Sequence, residues 1–502
     1  VGSSLFIYFF TTIVGFSEGS MLVGQFFLIA SSLYAMFAAL RDDRRVLMVS
    51  MIFASFAVFN TFNVAIRLNN LLVDFLLPAL ALAAIAGCFV YRNRFWFLSL
   101  NTAVILGLLS IVKVSGLFFV ALVLVVYVVC IVRLLVRKRA RLKVLVLLIM
   151  TLLVSCLPFV IWQKHVTDNF PNASSAKHAV SMSELGQVLT GNLSGVPQKI
   201  ITLFVKSVFT FDSLASNGIL IINLIMLIAF IVIGIRLKYK KFVLLTWGFV
   251  DISIVTYYIG ILLMYLTAMP TDEALELAGF ERYASSIVIF AFGCLTMALA
   301  WVMDKGLYEK IISKRNARSY KSLFNKRLYQ YASLVLTVYA IGMFLSENNG
   351  IVYNNNQETN EVAKEIRQFT GSQSNSSTDR ILVVTADKEN VDNYFAQYAS
   401  RYYLWDVNVD ARENFVSVDQ KFLDLMASYR DSATSYYLSN KNIDTRDNSN
   451  LTDDDFIALL KTYDEVLILD DHYTFNTLTK KLFGRTYSPG LYKVSDILAG
   501  KG

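Results

Sequence analysis

The run LFFVALVLVVYVVCIVRLLV, residues 117–136, decides the fold class of this chain. It holds twenty residues and one charged side chain, and about 20 apolar residues are enough for a helix to cross the hydrocarbon core of a bilayer. Similar runs recur along the first two thirds of the sequence, whereas a signal peptide would supply only one. The sequence therefore predicts an α-helical polytopic membrane protein.

About ten transmembrane helices are expected from these runs. The predicted spans are 19–40, 46–62, 72–91, 95–112, 117–136, 143–162, 217–236, 242–266, 284–303 and 328–345. A preceding apolar segment, 5–16, is too short to cross and is expected to lie at the interface or to re-enter. The four cysteines all fall within apolar runs, so we predict neither a disulfide framework nor a cysteine metal site.

The connections between the predicted spans alternate sharply in charge. One set carries 23 of the 30 Lys and Arg residues in region 1–345, and the other set carries seven. Because Lys and Arg are retained in the cytoplasm, the basic set is predicted to be cytoplasmic. Ten crossings that start outside return the chain outside, so Val1 and the region after Leu345 are expected on the outer face of the plasma membrane. The basic connections are 41–45, 92–94, 133–143, 236–241 and 305–327.

Two regions of opposite charge follow one another along the chain. Residues 1–345 have a net charge of +16 and are predicted to form the transmembrane domain, whereas residues 346–502 have a net charge of −8. The overall charge of +8 is thus a sum of two halves and gives no reason to expect nucleic-acid binding. Apolar segments at 381–385 and 465–470 alternate with helical patterns, so residues 346–502 are predicted to be an extracytoplasmic α/β domain.

Three polar positions at predicted outer span ends are candidates for binding or catalysis, because ionisable groups at membrane depth are costly. The Asp74 carboxylate could bind a divalent cation or orient an acceptor hydroxyl, or it could be an interfacial charge. Lys113, in the outer turn Ile-Val-Lys-Val-Ser-Gly, could hold a lipid phosphate or extend to the headgroups. Arg282 can bind a phosphate bidentately, and Glu281 and Tyr283 flank it.

Further candidates lie in the long outer loop and in the C-terminal region. Lys164 and His165, like Lys177 and His178, pair a lysine with a histidine, which would suit a phosphate contact or a proton shuttle. The metal requirement stays open, because the histidine spacing is a weak metal signal. Residues 200–210 suit an interfacial amphipathic helix. The triplet Asp470, Asp471 and His472 follows a predicted strand, and we interpret it as a solvated turn.

The stretch YLTAMPTDEALELAGFERY, residues 265–283, resembles a segment of bacterial GT-C type membrane glycosyltransferases. The Leu-Val-Asp74-Phe-Leu opening of a span and the turn around Lys113 are similar to that family too. The resemblance covers most of 1–345. It implies a polyprenyl-phosphate-linked sugar donor, inverting transfer to a glycan or other acceptor of the cell envelope, and a role in polysaccharide biosynthesis. It also implies a catalytic acid in an outer loop that would precede Val1.

On that resemblance, Asp74 is a second candidate for the catalytic carboxylate, and Arg282, Lys113 and Tyr283 are candidates for binding the donor phosphate. A cationic group would stabilise the lipid phosphate as it leaves, and a carboxylate would accept the proton of the acceptor hydroxyl. Two alternatives stay open. One is a flippase or transporter for lipid-linked glycans, and the other is a polymerase or ligase that moves whole glycans.

Overall fold

The computed structural model describes fifteen stretches of the chain. They are 1–40, 45–63, 70–137, 141–169, 195–235, 239–304, 309–312, 317–320, 322–356, 361–370, 379–385, 395–404, 406–412, 415 and 451–500. The chain divides into two compact units, Val1–Asn354 and Asn355–Gly502. The predicted boundary at residue 345 falls inside a helix that continues to Asn356. Lys177 and His178 lie outside the described residues.

The first unit is built from helices. Their bounds are α1 Gly2–Val14, α2 Glu18–Tyr34 with a 3-10 extension Ala35–Ala39, α3 Val46–Phe62, α4 Leu76–Tyr91, α5 Phe95–Val112, α6 Gly116–Arg137, α7 Arg141–Asn169, α8 Val196–Val208, α9 Leu214–Ala229 with a π-helical extension Phe230–Ile235, α10 Lys240–Thr267, α11 Thr271–Leu275, α12 Phe280–Asp304 and α13 Leu323–Asn356. A short antiparallel hairpin, β1 Glu309–Ile312 and β2 Ala317–Tyr320, lies between α12 and α13.

Among the described residues, eight helices are long and apolar enough to cross a membrane. They are α2 with its extension, α5, α6, α7, α9, α10, α12 and α13. The chain is therefore a multi-pass helical membrane protein. The other two predicted spans correspond to the shorter apolar helices α3 and α4, of 17 and 16 residues.

Helix α4 is shorter than its predicted span because its first residues form a turn. Asp74, expected three residues inside a helix, lies in that turn, and the helix begins at Leu76. The helix itself is almost entirely enclosed, since its residues from Leu76 to Cys88 are buried. Small residues let its neighbours approach closely. A Cβ on Gly293 of α12, for example, would clash with the Leu82 side chain of α4.

The polar ends of the helices separate into two groups. The Arg92 guanidinium, just after α4, lies 5.8 Å from the ring centroid of Trp301, near the end of α12. That end of the bundle therefore carries the basic α4–α5 connection. The start of α4, the end of α5 and the start of α12 lie at the opposite end, where Asp74, Lys113 and Arg282 are found.

The second unit contains a four-stranded sheet in the order β4-β3-β5-β6. Strands β3 (Ile381–Val384), β4 (Val409–Arg412) and β5 (Glu465–Ile468) are parallel, and β6 (Gly490–Lys493) is antiparallel to β5. The helices are α14 Glu361–Thr370, α15 Phe395–Leu404, α16 Asp453–Leu460, α17 Tyr473–Phe483 and α18 Val494–Leu498. Apolar side chains of β3 and β5 form cores on both faces of the sheet.

Candidate functional site

One buried carboxylate and two cations meet at the end of the bundle that holds the starts of α4 and α12. Lys113 Nζ donates to Asp74 Oδ1 at 2.7 Å. Arg282 Nε lies 3.8 Å from Asp74 Oδ2, which is an ion-pair distance beyond hydrogen bonding. The structure thus brings together three side chains that are 39 and 169 positions apart in sequence. We call Asp74, Lys113, Arg282 and Tyr283 the rim cluster.

The three charged side chains of the rim cluster differ in exposure. The Asp74 side chain is 4% exposed, whereas those of Lys113 and Arg282 are 34% and 29% exposed. The carboxylate is therefore enclosed, whereas the two cations are partly exposed. With two positive charges and one negative charge, the cluster keeps a surplus of one positive charge. Such a surplus of positive charge favours an anionic ligand.

The Tyr283 ring lies close to both cations. Its ring centroid is 4.9 Å from Lys113 Nζ and 4.8 Å from the Arg282 guanidinium carbon, and Arg282 Nη2 donates to the Tyr283 hydroxyl at 2.7 Å. The ring's negative face attracts both cations. Tyr283 therefore holds the two positive charges near one another although they repel.

Two glycines allow these side chains to reach the rim cluster. Gly116 begins α6, and a Cβ there would lie only 2.7 Å from the Leu109 carbonyl oxygen, so only glycine permits the tight turn that carries Lys113. Gly279 precedes α12 with φ of +75°, a left-handed conformation that glycine adopts without strain. A Cβ there would lie 3.2 Å from the Tyr283 ring.

Two residues that the sequence did not single out hold Asp74 in place. The Ser286 hydroxyl donates to the Asp74 carbonyl oxygen at 3.0 Å and ties α12 to the turn before α4. Gln25 of α2 donates to the carbonyl oxygens of Asn70 and Leu72 at 3.1 and 3.0 Å. Ser286 lies four residues after Arg282, so helical spacing was a signal that could have found it. Gln25 gave no comparable signal.

Glu281 has a different place from its neighbour Arg282. Its Oε2 atom accepts a hydrogen bond from the backbone N–H of Ala215, in the first turn of α9, at 3.1 Å. A carboxylate at this position satisfies a donor that the helix leaves unpaired and complements the helix dipole. Glu281 therefore joins the starts of α9 and α12 and lies beside the rim cluster without belonging to it.

Lys164 and His165 lie near the end of α7. His165 Nδ1 is 3.1 Å from Asn169 Nδ2, and its ring centroid is 5.3 Å from that of Trp162. These contacts are within α7 and do not link the pair to Asp74. Among the described residues, no group of three or more His, Cys, Asp or Glu side chains could hold a metal ion.

The triplet at the end of β5 is only partly solvated. Asp471 is exposed, but His472 is buried, so the interpretation as a fully solvated turn was wrong for the histidine. His472 Nδ1 accepts from the Phe475 N–H at 3.2 Å and caps α17. Asp470 Oδ2 accepts from the Thr385 hydroxyl at 2.8 Å and joins the ends of β3 and β5. These bonds give Asp470 and His472 structural roles.

The rim cluster retains donors for a ligand. An ammonium has three N–H groups and a guanidinium has five. Asp74 accepts one hydrogen bond from Lys113, and the Tyr283 hydroxyl accepts one hydrogen bond from Arg282. Arg282 Nε is buried and faces Asp74. The other N–H groups of Lys113 and of the Arg282 terminal nitrogens suit a phosphate, which Lys contacts as a point charge.

Comparison with known proteins identifies no relative. No family model matches the chain, and no curated protein or solved structure matches it significantly.

Proposed function

We propose that this chain is an inverting membrane glycosyltransferase that moves a sugar from a polyprenyl-phosphate-linked donor to an envelope glycan or other acceptor at the outer face of the plasma membrane. The observation that carries the proposal is the rim cluster, in which two partly exposed cations share one buried carboxylate. The resemblance of residues 265–283 to GT-C type enzymes supports the same proposal.

The orientation supports an outer site. The basic connection between α4 and α5, which contains Arg92, lies at the other end of the bundle from the rim cluster. Because Lys and Arg are retained in the cytoplasm, we assign the rim cluster to the outer face. The same assignment makes the chain after α13 extracytoplasmic.

The proposed roles follow from charge and exposure. Arg282 and Lys113 bind the donor phosphate and stabilise the negative charge that grows on it as the bond to the sugar breaks. Tyr283 keeps the two cations in place. Asp74 is nearly enclosed and already bonded to Lys113, so we assign it to positioning the cations. The proton of the acceptor hydroxyl then needs another carboxylate as its base.

The test is donor turnover by the full-length protein in proteoliposomes supplied with radiolabelled polyprenyl-phosphate sugars and glycan acceptors. We expect release of polyprenyl phosphate and a labelled product. The variant Arg282→Ala should lower turnover about 10²-fold, as is typical when a group that stabilises transition-state charge is removed. The matched control is Arg94→Ala, at the basic end of the bundle, which should leave turnover unchanged.

Other outcomes would reject or redirect the proposal. No release with any donor, in protein that keeps its thermal stability, would refute it. Movement of an intact lipid-linked glycan across the bilayer without release would favour the flippase. A product extended by a whole glycan instead of one sugar would favour the polymerase or ligase. Normal turnover by Arg282→Ala would remove Arg282 from the site.

A further inference from the structure

The turn after α8 presents two aromatic side chains away from the protein. Phe209 and Phe211 are 81% and 77% exposed. Full exposure to water of two phenylalanines two residues apart is unfavourable, because burial of each ring from water is worth about 1.5–3 kcal/mol. The turn is therefore a candidate for contact with an apolar environment that the described residues of the protein do not supply.

Hydrogen bonds hold the backbone of the turn on both sides. The Ser216 hydroxyl donates to the Val208 carbonyl oxygen at 2.6 Å, and the Asn217 amide donates to the Phe211 carbonyl oxygen at 2.7 Å. The Ser213 hydroxyl in turn caps α9. The backbone is thereby held on both sides of Thr210, which fixes where the two phenylalanine side chains leave the main chain.

The height of the turn is fixed relative to the rim cluster. Helix α9 starts just after the turn, and its Ala215 N–H bonds to Glu281, the residue before Arg282. Phe204 of α8 packs on Phe280, with ring centroids 5.6 Å apart. Since α9 and α12 are both long enough to cross a membrane, their starts mark the edge of the hydrocarbon core, and the turn lies at that depth.

Helix α8 has the pattern of a helix at a membrane surface. Ile200 and Phe204 are buried against the protein, and the opposite face carries Lys199 and Lys206. These lysines are seven residues apart, which is two helical turns, so they share one face. Both are exposed. Basic residues at this depth attract anionic headgroups, and the aromatic rings next to them suit the boundary with the acyl chains.

We infer that the turn Phe209–Phe211 inserts into the lipid leaflet and that Lys199 and Lys206 contact anionic headgroups. The occupant of this surface is the bilayer itself. The anchor holds the starts of α9 and α12, and with them the Glu281–Arg282 segment, at the boundary between the hydrocarbon core and the headgroups. The inference depends on the membrane-spanning helices and not on sugar transfer, so either idea can fail without the other.

The test is the immersion depth of a nitroxide attached at Phe209→Cys or Phe211→Cys. The two more accessible native thiols, Cys130 and Cys156, are replaced by serine, and the full-length protein is placed in nanodiscs that contain anionic lipid. Oxygen partitions into the bilayer and a nickel chelate into water. The ratio of their collision rates, measured by electron paramagnetic resonance, reports depth. We expect both labels about 5–10 Å below the headgroup boundary.

Three further labels calibrate the scale. A nitroxide at Tyr398→Cys, an exposed position in the second unit, should have the collision rates of a label in water. A nitroxide at Leu153→Cys, exposed in the middle of α7, should have those of a label deep in the hydrocarbon. The labels at 209 and 211 should have an oxygen-to-nickel ratio several-fold above that of Tyr398→Cys. Lys199→Cys, on the basic face of α8, should be accessible to nickel.

Two results would overturn the inference. A ratio equal to that of Tyr398→Cys would place the turn in water. Low collision rates with both reagents would show that protein covers the turn, either a second copy of the chain or another partner. Size-exclusion profiles and thermal unfolding of each labelled protein establish that it is folded, so that each result can be interpreted.

Discussion

Replacing Asp74 by asparagine tests whether the rim cluster is energetically coupled. The contacts of the carboxylate are Lys113 Nζ at 2.7 Å and Arg282 Nε at 3.8 Å. At an effective dielectric constant of about 20, unit charges at these separations attract by about 6 and about 4 kcal/mol. The cost of removing the carboxylate from water takes back several kcal/mol. We therefore expect Asp74→Asn to lower the free energy of unfolding by about 2–3 kcal/mol.

A double-mutant cycle isolates the Lys113–Asp74 pair. Lys113→Met alone leaves Asp74 with Arg282, and Asp74→Asn alone leaves two cations that repel each other. The double variant removes one charge of each sign and keeps the surplus of one positive charge. It should therefore be more stable than Asp74→Asn, with a coupling energy of about 1–3 kcal/mol.

Equilibrium unfolding in mixed detergent micelles measures these differences. Cys88 and Cys294 are buried, so their reaction with a thiol dye reports unfolding. Cys88 lies near the far end of α4 and is not disturbed by a change at Asp74. The reasoning would be refuted if Asp74→Asn unfolded like the wild type, or if Lys113→Met made Asp74→Asn less stable instead of more stable.

Two other predictions concern a turn and a strand. Gly116→Ala should destabilise the first unit by about 2 kcal/mol, because the new Cβ would approach the Leu109 carbonyl oxygen to 2.7 Å. The control Gly248→Ala, at a position with open space around it, should leave the stability unchanged. Thermal unfolding measures both variants. In the second unit, burial and then the charge of Asp379 raise the pKa of Glu465 above its usual 4.5. Protonated Glu465 thus stabilises the fold at acid pH, and this contribution is lost as pH rises through the raised folded-state pKa. Glu465→Gln should therefore increase the protection of β5 amides against hydrogen exchange at neutral pH, but it should not increase that protection below pH 4.5. An equal increase in protection at both pH values would contradict this cause.

The sequence predicted the class of fold because apolar run length is a local property. Eight predicted spans correspond to helices long enough to cross a membrane. The starts of helices were harder to predict. At α4, for example, the turn around Asp74 makes the helix shorter than its predicted span. Strand β4 was missed because Val-Asp-Ala-Arg at 409–412 lacks the apolar pattern that marks β3 and β5. It lies at the edge of the sheet, where one side needs no partner strand.

The candidate site was predictable as separate residues but not as a cluster. Asp74, Lys113 and Arg282 were each singled out because charge at membrane depth is costly. Their mutual contacts depend on how α4, α5 and α12 pack, and no local pattern encodes that packing. The same reasoning could not separate Glu281 from Arg282, although the first caps α9 and the second joins the rim cluster.

A carboxylate inside a proposed anion site has a physical reason. Without Asp74, Lys113 and Arg282 would be two like charges near one tyrosine ring, each less than 5 Å from its centroid. Their repulsion would drive one of them out to solvent, and its donors would then be lost to the ligand. Asp74 offsets that repulsion from behind and leaves one positive charge unbalanced. A phosphate in the proposed site would then need to displace neither cation, because about a third of each cationic side chain is exposed.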